Sequence, residues 1–490
     1  MRRSANNAAL AAVDLGAQSC RVSLLRWIDG NPLVEVVHRF PNSPVVRREG
    51  IFWDIQRILD GTIAGLRKCG EISTEGIAAV GVDGWAVDYV RLGGDGRPLA
   101  DPFCHRDTRT RSAQQQLHHL LPPDKLYSLT GIQVLSLNTL YQLFADKQAG
   151  LDSGNCWLNL PEYITYCLGG RPVAEYTNAT HTQLVRRGSH EWSKEIFQTA
   201  GLDLAAAPEI VPSGSAVGVI CGDLGNLPAF RETRLIVPAC HDTASAISAI
   251  PATGDDWAFI SSGTWSLVGT VLNTPCVTEE AQSENFTNLG GVGGTTCFLK
   301  NVNGMWLLQQ CVEEWEKIGF FLDMPRLLGE CEALPAPNYL INVNDPELFL
   351  PGDMPGKINQ QLCQAGHAPI SSKPQDIPRM ANLIFHSLAA RYAEVLRSVA
   401  KITGKRLKRL FIVGGGSKNS LLNRLTAERT GLEVLTGSAE SSTIGNLAIQ
   451  QAALDGDWDE SVGVTAASVA KWTQALALEP ALLPADDQRD

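Results

Sequence analysis

Apolar and polar positions near the start of the chain predict three strands, a helix and a fourth strand. A short apolar run at 8–13 precedes a glycine-containing turn, and further β-rich runs follow at 21–25 and 33–38. Asp54 begins a helical pattern and suits its N-cap, because the carboxylate can accept hydrogen bonds from free backbone N–H groups. The apolar run 77–82 predicts a buried strand parallel to the first. This order predicts an α/β fold in which helices cover one sheet.

A second folding unit is predicted to begin near residue 250. The stretch 251–256 is rich in turn-forming residues and suits a connection between domains. Strands at 257–261 and 265–271 then flank the turn Gly263-Thr264 and repeat the opening pattern. Later patterns predict helices at 304–316, 377–402, 419–431 and 442–454 and a strand at 407–413.

The length of 490 residues suits roughly three domains, or two large ones with separate cores. We expect an N-terminal domain of residues 1–250, a C-terminal domain of 251–475 and a flexible tail of 476–490.

Charge and cysteine usage exclude several classes of protein. The net charge of −11 has the wrong sign for a surface that gathers nucleic-acid phosphates or anionic lipids. No run reaches the roughly 18 apolar residues that cross a bilayer, so we expect a soluble, cytoplasmic protein without nucleic-acid or membrane partners. The closest cysteines, Cys156 and Cys167, are eleven positions apart, which excludes Cys-x-x-Cys sites. Reduced thiols are the better expectation, and a bridge between Cys69 and Cys221 stays open.

Two hydroxyl- and glycine-containing turns are candidate phosphate sites. The first, 14–21, places Asp14 at a strand end before small residues that let backbone N–H groups approach an anion. Asp14 could also orient water around Mg²⁺. The second turn, 261–264, lies at the corresponding place about half the chain later and suggests a duplication. Each turn taken alone could instead be an ordinary polar hairpin.

Two further segments could take part in the same chemistry. Gly414-Gly415-Gly416 follows an apolar strand and precedes a helix, an arrangement that suits a phosphate or a flat ring but also a tight structural turn. It has neither dinucleotide-fingerprint nor P-loop spacing. In His241-Asp242-Thr243, Asp242 could accept the proton of an attacking alcohol, as phosphoryl transfer to a hydroxyl requires. The alternatives are that Asp242 and Thr243 cap the next helix and that His241 is structural.

The segment 82–89 combines two carboxylates with an aromatic side chain. Asp83 and Asp88 flank Trp85 around a glycine turn, a mixture typical of sugar-binding sites. Trp85 could equally belong to the core.

In this order the segments resemble the FGGY carbohydrate kinases, a branch of the superfamily that includes hexokinase and actin. The resemblance extends over nearly the whole chain and rests on residues 12–17, 84–88, 175–180, 241–246, 261–267, 299–301, 304–309 and 412–416. The segments 175–180 and 241–246 are most similar to the branch of the family that acts on L-rhamnulose.

The resemblance implies two ribonuclease H-like domains with a cleft between them. We expect the domains to close when the sugar binds, because a kinase open to water would hydrolyse ATP. The resemblance also implies ATP and Mg²⁺, with transfer of the γ-phosphoryl group to O1 of L-rhamnulose. Asp242 would be the catalytic proton acceptor, and Asp14 would hold Mg²⁺ through water. The residues expected around the sugar are Ala86, His241, Asp242, Thr243 and Asn301, and those expected at ATP are Ala17, Gln18, Ser19, Cys20, Arg21, Thr264, Gln309 and Gly415.

The sequence departs from the family pattern at two of these positions. Cys20 and Ala86 stand where relatives often carry Gly. Other readings stay open: a kinase for another ketose such as fuculose or xylulose, a sugar sensor without turnover, or a nucleotide-driven binding protein of the actin and chaperone kind. We expect ATP and a small ketose as partners, and a monomer or small homo-oligomer.

Overall fold

A computed structural model describes residues 8–151, 154–476 and 481–482, and the chain divides into two compact units. The first unit comprises Met1–Ala252, Val271–Phe298 and Glu440–Leu478. The second comprises Thr253–Thr270, Leu299–Ala439 and Glu479–Asp490. The change of unit after residue 252 lies close to the expected position. The second unit differs from the expected continuous domain 251–475, because two segments of that range belong to the first unit. Most of the expected tail, 476–490, lies outside the described residues.

The described elements are numbered in chain order. The strands are β1 (Ala9–Leu15), β2 (Ser19–Ile28), β3 (Asn31–Pro41), β4 (Val45–Arg47), β5 (Gly50–Phe52), β6 (Ile77–Gly84), β7 (Tyr89–Leu92), β8 (Cys156–Asn159), β9 (Val173–Glu175), β10 (Glu209–Val211), β11 (Ala216–Val219), β12 (Arg234–Ile236), β13 (Trp257–Ser262), β14 (Trp265–Leu272), β15 (Thr287–Gly290), β16 (Thr296–Asn303), β17 (Arg409–Val413), β18 (Glu433–Thr436), β19 (Trp458–Asp459), β20 (Gly463–Val464) and β21 (Ala481–Leu482). The α-helices are α1 (Ile55–Ile72), α2 (Thr110–Leu120), α3 (Pro123–Thr130), α4 (Thr139–Gln148), α5 (Leu160–Cys167), α6 (Tyr176–His181), α7 (Lys194–Ala200), α8 (Gly222–Gly225), α9 (Asp242–Ser248), α10 (Glu279–Ser283), α11 (Trp306–Lys317), α12 (Met324–Glu332), α13 (Met354–Gln364), α14 (Ile377–Thr403), α15 (Ser420–Thr430), α16 (Ser441–Leu454) and α17 (Ala466–Leu476).

The first unit is built on a six-stranded sheet in the order β11-β12-β6-β1-β2-β3. β1 pairs antiparallel with β2 and parallel with β6, and β12 also runs parallel to β6. The strands predicted at 8–13, 21–25 and 33–38, and the strand predicted at 77–82 parallel to the first, are therefore confirmed. Three neighbouring strands, β12, β6 and β1, all point their carboxyl ends to the same edge of the sheet.

Alternate residues of β1 lie in different hydrophobic clusters, as strand geometry requires of the two faces of a sheet. Val13 packs in the same cluster as Ile58 of α1, whereas Leu10 and Ala12 pack with Leu447 and Ala448 of α16. Helices therefore cover both faces. The predicted N-cap of α1 is confirmed, because the Asp54 carboxylate accepts a hydrogen bond from the Arg57 amide at 3.0 Å.

The packing of α16 explains why the chain returns to the first unit at residue 440. Its buried residues lie against β1 and α9, and Gln450 Nε2 donates to the carbonyl of Ala11 at 3.0 Å. A Cβ atom on Gly445 would lie 1.8 Å from the Ser245 carbonyl oxygen, so the close approach of α16 to α9 requires glycine there.

The second unit contains a sheet in which β14, β13, β17 and β18 are consecutive neighbours. β13 pairs antiparallel with β14 and parallel with β17, in a register that sets Ser261 opposite Val413. The long helix α14 and its neighbours α11 and α15 match the predicted helices at 377–402, 304–316 and 419–431.

All twelve cysteines are free thiols, so Cys69 and Cys221 do not form a disulfide bridge. Over the described ranges, every helix is too short or too polar to span a lipid bilayer.

Candidate active site

Three carboxylates lie at the same edge of the first sheet, two on adjacent strands and one at the start of α9. Asp14, near the end of β1, is the register partner of Asp83 on β6. Beyond β12 the chain stays beside β6, because the Gly84 amide donates to the Cys240 carbonyl at 2.9 Å and Gly84 bridges His241 in parallel. Asp242 is the next residue. The topology therefore gathers acidic side chains that are far apart along the chain.

Asp14 is held by residues from two parts of the first unit. Arg21, its partner across the hairpin, approaches Asp14 Oδ2 at 3.0 Å through both Nε and Nη2. The Ser442 hydroxyl on α16 donates to the same oxygen, and Glu440 pairs with Arg21. Asp14 is 2% exposed. The carboxylate thus has a fixed orientation, set by a cation and a hydroxyl that both engage Oδ2.

Asp242 is the first residue of α9, and its surroundings favour the neutral acid. Loss of hydration inside the site, together with the negative charge of Asp14, raises the pKa of Asp242 to about 7. Its side chain still keeps 36% of its surface exposed. The Thr243 hydroxyl donates to Asp242 Oδ1 at 3.1 Å. The N-cap of α9 is His241, so the alternative in which Asp242 serves as that cap is disfavoured.

His241 is a buried, uncharged neighbour of Asp242. Its Nε2 lies 3.6 Å from Asp242 Oδ1, and its ring meets the His181 ring edge-on with centroids 4.6 Å apart. Burial and the adjacent His181 hold the pKa of His241 well below its usual range. His241 therefore suits hydrogen bonding by a neutral imidazole better than carriage of a proton at neutral pH.

Asp83 was not among the expected site residues, although its segment was. It is fully buried and accepts a hydrogen bond from Asn446 Nδ2 on α16. Burial and the carboxylates of Asp14 and Asp242 raise its pKa well above the usual range. Asp83 Oδ1 has no hydrogen-bond partner among the described residues. Asn446 and Ser442 lie more than 350 positions away in the sequence, and no local motif marks either residue.

The first expected phosphate turn is a tight hairpin between β1 and β2. Gly16 is required there, because a Cβ atom would lie 2.4 Å from the Ser19 carbonyl oxygen. Asn42 braces the hairpin by donating to the Gly16 carbonyl at 3.0 Å. Gln18 is exposed, and Ala17, Ser19 and Arg21 are half-buried.

Cys20 turns its side chain away from the surface of that hairpin. The thiol is fully buried, donates weakly to the Gly16 carbonyl at 3.7 Å, and has a pKa that burial raises to about 12. Cys20 could therefore contact a phosphate through its backbone N–H but not through its thiol.

In the second unit the two expected phosphate-binding segments meet. The turn at Thr264 is anchored on α11, because the Met305 and Trp306 amides donate to the Gly263 and Thr264 carbonyls at 3.1 Å. Gln309 lies on the same helix. Gly416, next to Gly415, packs so closely on this hairpin that a Cβ atom would lie 2.0 Å from Ser262 Oγ.

Asn301 lies on β16, the neighbour of β14 in the same sheet. The second unit thus contains the remaining expected residues that lie beyond position 252.

The turn that carries Ala86 is braced from within the first unit. Asp88 is fully buried and accepts hydrogen bonds from the Trp53 and Trp85 indoles at 2.7 and 2.9 Å and from His105 Nδ1 at 2.8 Å. Burial alone would raise the pKa of Asp88. The charge of His105 and the hydrogen bonds from His105 and the two indoles outweigh the effect of burial and hold this pKa below its usual range. Trp85 is only 7% exposed, which favours its core role. Of the two carboxylates in this segment, Asp83 belongs to the site and Asp88 to its support.

The donor set of the first unit fits a magnesium ion. Mg²⁺ retains several waters and takes one or two carboxylates together with substrate phosphates. Asp14 supplies an oriented carboxylate, and the unpartnered, buried Asp83 Oδ1 lies opposite it on the adjacent strand.

Comparison with known proteins gives the same family from both halves of the chain. Residues 9–248 match the N-terminal domain of the FGGY family of carbohydrate kinases, and residues 258–454 match its C-terminal domain. A rhamnulokinase of Bacteroides thetaiotaomicron is 35% identical over 442 residues, which is 90% of this chain and 89% of that protein.

Solved structures of sugar kinases share the fold at low sequence identity. A ligand-bound xylulose kinase from Lactobacillus acidophilus gives a TM-score of 0.75 at 16% identity, and a gluconate kinase from the same organism gives 0.73 at 17%. Each comparison covers 96% of both chains. The expected fold class, two α/β domains of the actin and hexokinase type, is confirmed.

Proposed function

Because the chain belongs to the FGGY family of carbohydrate kinases, we propose that it transfers the γ-phosphoryl group of ATP to O1 of L-rhamnulose. The products are L-rhamnulose 1-phosphate and ADP. The choice of sugar is supported by the 35% identity to a rhamnulokinase over nine-tenths of the chain. The proposed chemistry depends most on one observation: Asp242 lies at the acidic edge of the first sheet, near Asp14 and Asp83, and its side chain keeps 36% of its surface exposed.

In this proposal Asp242 accepts the proton of the sugar hydroxyl as its oxygen bonds to phosphorus. A general base works best when its pKa lies near the working pH. A large fraction of the base is then ionised, and the base is still strong enough to accept the proton. Thr243 and the neutral His241 would orient the carboxylate and the sugar, and Ala86 and Asn301 would also contact the sugar. The transition state of phosphoryl transfer is loose, so Asp242 contributes by aiming the oxygen as much as by removing the proton.

The charge on ATP would be neutralised by the backbone N–H groups of Ala17 to Arg21, together with Thr264, Gln309 and Gly415. Mg²⁺, held through water by Asp14, would supply positive charge at the phosphate oxygens.

A screen of ADP release over a panel of ketoses tests the proposal. We expect the highest kcat/KM with L-rhamnulose, compared with L-fuculose and D-xylulose, because buried polar groups discriminate strongly against sugars that leave them unpaired. A higher kcat/KM for another ketose would replace the substrate but keep the reaction. Absence of ADP release with every ketose would leave the sugar-sensor alternative instead.

The role of Asp242 is tested by Asp242→Asn, which keeps the shape of the side chain and removes its basicity. We expect kcat to fall at least about 100-fold while ATP affinity stays nearly unchanged. Asp223→Asn is the matched control, because Asp223 is an exposed acid in the first turn of α8. Turnover by the Asp242 variant close to that of the control would rule out Asp242 as the base.

A further inference from the structure

Glu175 is a buried carboxylate in the segment 175–180. This segment carries part of the resemblance to the carbohydrate kinases, but it has no role in the proposed mechanism. It is the last residue of β9 and the N-cap of α6, where its Oε2 accepts from the amides of Thr177 at 3.1 Å and Asn178 at 3.4 Å. It is fully buried. These two bonds alone would make it an ordinary helix cap.

Three further hydrogen bonds reach the same carboxylate, one from the side chain of Thr177 and two from other parts of the chain. The Thr177 hydroxyl donates to Oε2 at 2.6 Å, the Cys240 amide to Oε2 at 2.9 Å, and the Ser213 hydroxyl to Oε1 at 2.6 Å. Hydrogen bonds to an ionised acceptor are among the stronger ones in proteins. Glu175 therefore does more than cap a short helix, because it binds the backbone two residues before Asp242.

The two peptide N–H groups that precede Asp242 each donate a hydrogen bond to a side chain of the segment 175–180. Glu175 binds the Cys240 amide, and the Thr177 hydroxyl lies 3.4 Å from the His241 amide and accepts from it. On the other side, the Cys240 carbonyl accepts from the Gly84 amide at 2.9 Å. The 240–241 backbone is thus fixed between α6 and β6. Because Asp242 is itself only partly buried, the position of this backbone decides where its carboxylate stands.

We propose that Glu175 and Thr177 are positioning residues for Asp242, which they hold in place by binding the backbone amides of Cys240 and His241. This inference rests on the proposed function of Asp242 as the proton acceptor. Neither residue is required to touch the sugar or ATP. A displacement of about 1 Å at the reacting group can cost about 100-fold in rate, so loss of this support would lower kcat more than substrate affinity.

A purely structural role for the network is the competing explanation, and Ser213 offers a matched control. Ser213 and Thr177 each donate one hydroxyl hydrogen bond of 2.6 Å to the same carboxylate. Only the Thr177 hydroxyl also accepts from the backbone next to Asp242. Removing either hydroxyl should destabilise the fold, whereas only the loss at Thr177 should affect catalysis.

The experiment compares Thr177→Val with Ser213→Ala in the full-length enzyme, with L-rhamnulose, ATP and Mg²⁺. We expect Tm to fall in both variants, and somewhat further in T177V because it also leaves the His241 amide without an acceptor. The kcat of T177V should fall about tenfold or more, with KM for ATP and for the sugar within about twofold of wild type. S213A should keep its kcat within about twofold. Thr177→Ser, which restores the hydroxyl, should recover most of the kcat lost in T177V.

Two outcomes would overturn the positioning role: an unchanged kcat in T177V, or equal losses of kcat in T177V and S213A. Should T177V fail to fold, Thr177→Ala removes the same hydroxyl without placing a second methyl group among buried donors, and the same criteria apply. D242N in the same assay separates the two proposals. If D242N is inactive while T177V is fully active, only the positioning role fails, whereas an active D242N refutes the proposed base.

Discussion

The raised pKa of Asp242 makes the reaction depend on pH where an ordinary aspartate would not. Burial and the Asp14 carboxylate raise this pKa from 3.8 to about 7. Each pH unit below the pKa lowers the ionised fraction about tenfold, so at pH 5 about one molecule in 100 holds the base in its active form. With a pKa of 3.8, more than about nine-tenths would be ionised at pH 5.

The measurement is the pH profile of kcat/KM for the sugar, which reports ionisation of the free enzyme. We expect kcat/KM to rise about 50-fold from pH 5 to pH 7, where half of the base is ionised, and to level off above about pH 8. ADP is quantified by chromatography, so that no coupling enzyme adds its own pH dependence, and Mg²⁺ is kept in excess. Circular dichroism at pH 5 verifies that the protein stays folded. A profile that is level from pH 8 down to pH 5 in folded protein would refute the reasoning.

Three other perturbations follow from the structure. Asp14→Ala should raise the Mg²⁺ concentration for half-maximal rate by about 10–100-fold, and an unaltered Mg²⁺ titration would count against Asp14 as the metal-holding residue. Burial and Glu175 raise the pKa of Glu162 to about 8, so the folded protein keeps a proton that the unfolded chain releases near pH 4.5. The free energy of unfolding should therefore fall as pH rises from 4.5 to 8. Glu162→Gln should flatten that fall in urea denaturation, and an equal slope in both proteins would contradict this. Gly416→Ala should cost about 1–3 kcal/mol of stability, because its Cβ would meet Ser262 Oγ at 2.0 Å. Gly415→Ala is the control, since its Cβ has open space, and equal stability of the two variants would be the contrary result.

Local chemistry made much of the secondary structure predictable. The helix that begins after Asp54 was predictable because a capping carboxylate and an amphipathic pattern are properties of neighbouring residues. The same holds for α14, predicted at 377–402 and observed at Ile377–Thr403. The two turns that we expect to bind phosphate could be predicted as hairpins, because tight hairpins need small residues and glycine at defined positions, as Gly16 illustrates.

The site was predictable only in part. Asp14 and Asp242 could be named from motifs, since each follows a strand and precedes small residues. Asp83 was within an identified segment, but whether it or Asp88 belonged to the site depended on the parallel register of β1 and β6. The thiol of Cys20 could not be excluded as a ligand until its direction in the hairpin was known.

Amino-acid order alone predicted the first strands of each unit, several of the helices, the glycine turns and the two carboxylates of the proposed reaction, because these depend on residues a few positions apart. Three-dimensional packing decided the rest. It brought Ser442 and Asn446 of α16 to the acidic edge of the first sheet, returned residues 440–478 to the first unit, and raised the pKa of Asp242. Such features depend on burial and on charges that meet across hundreds of residues, and neither distance nor solvent exclusion is encoded in any local pattern.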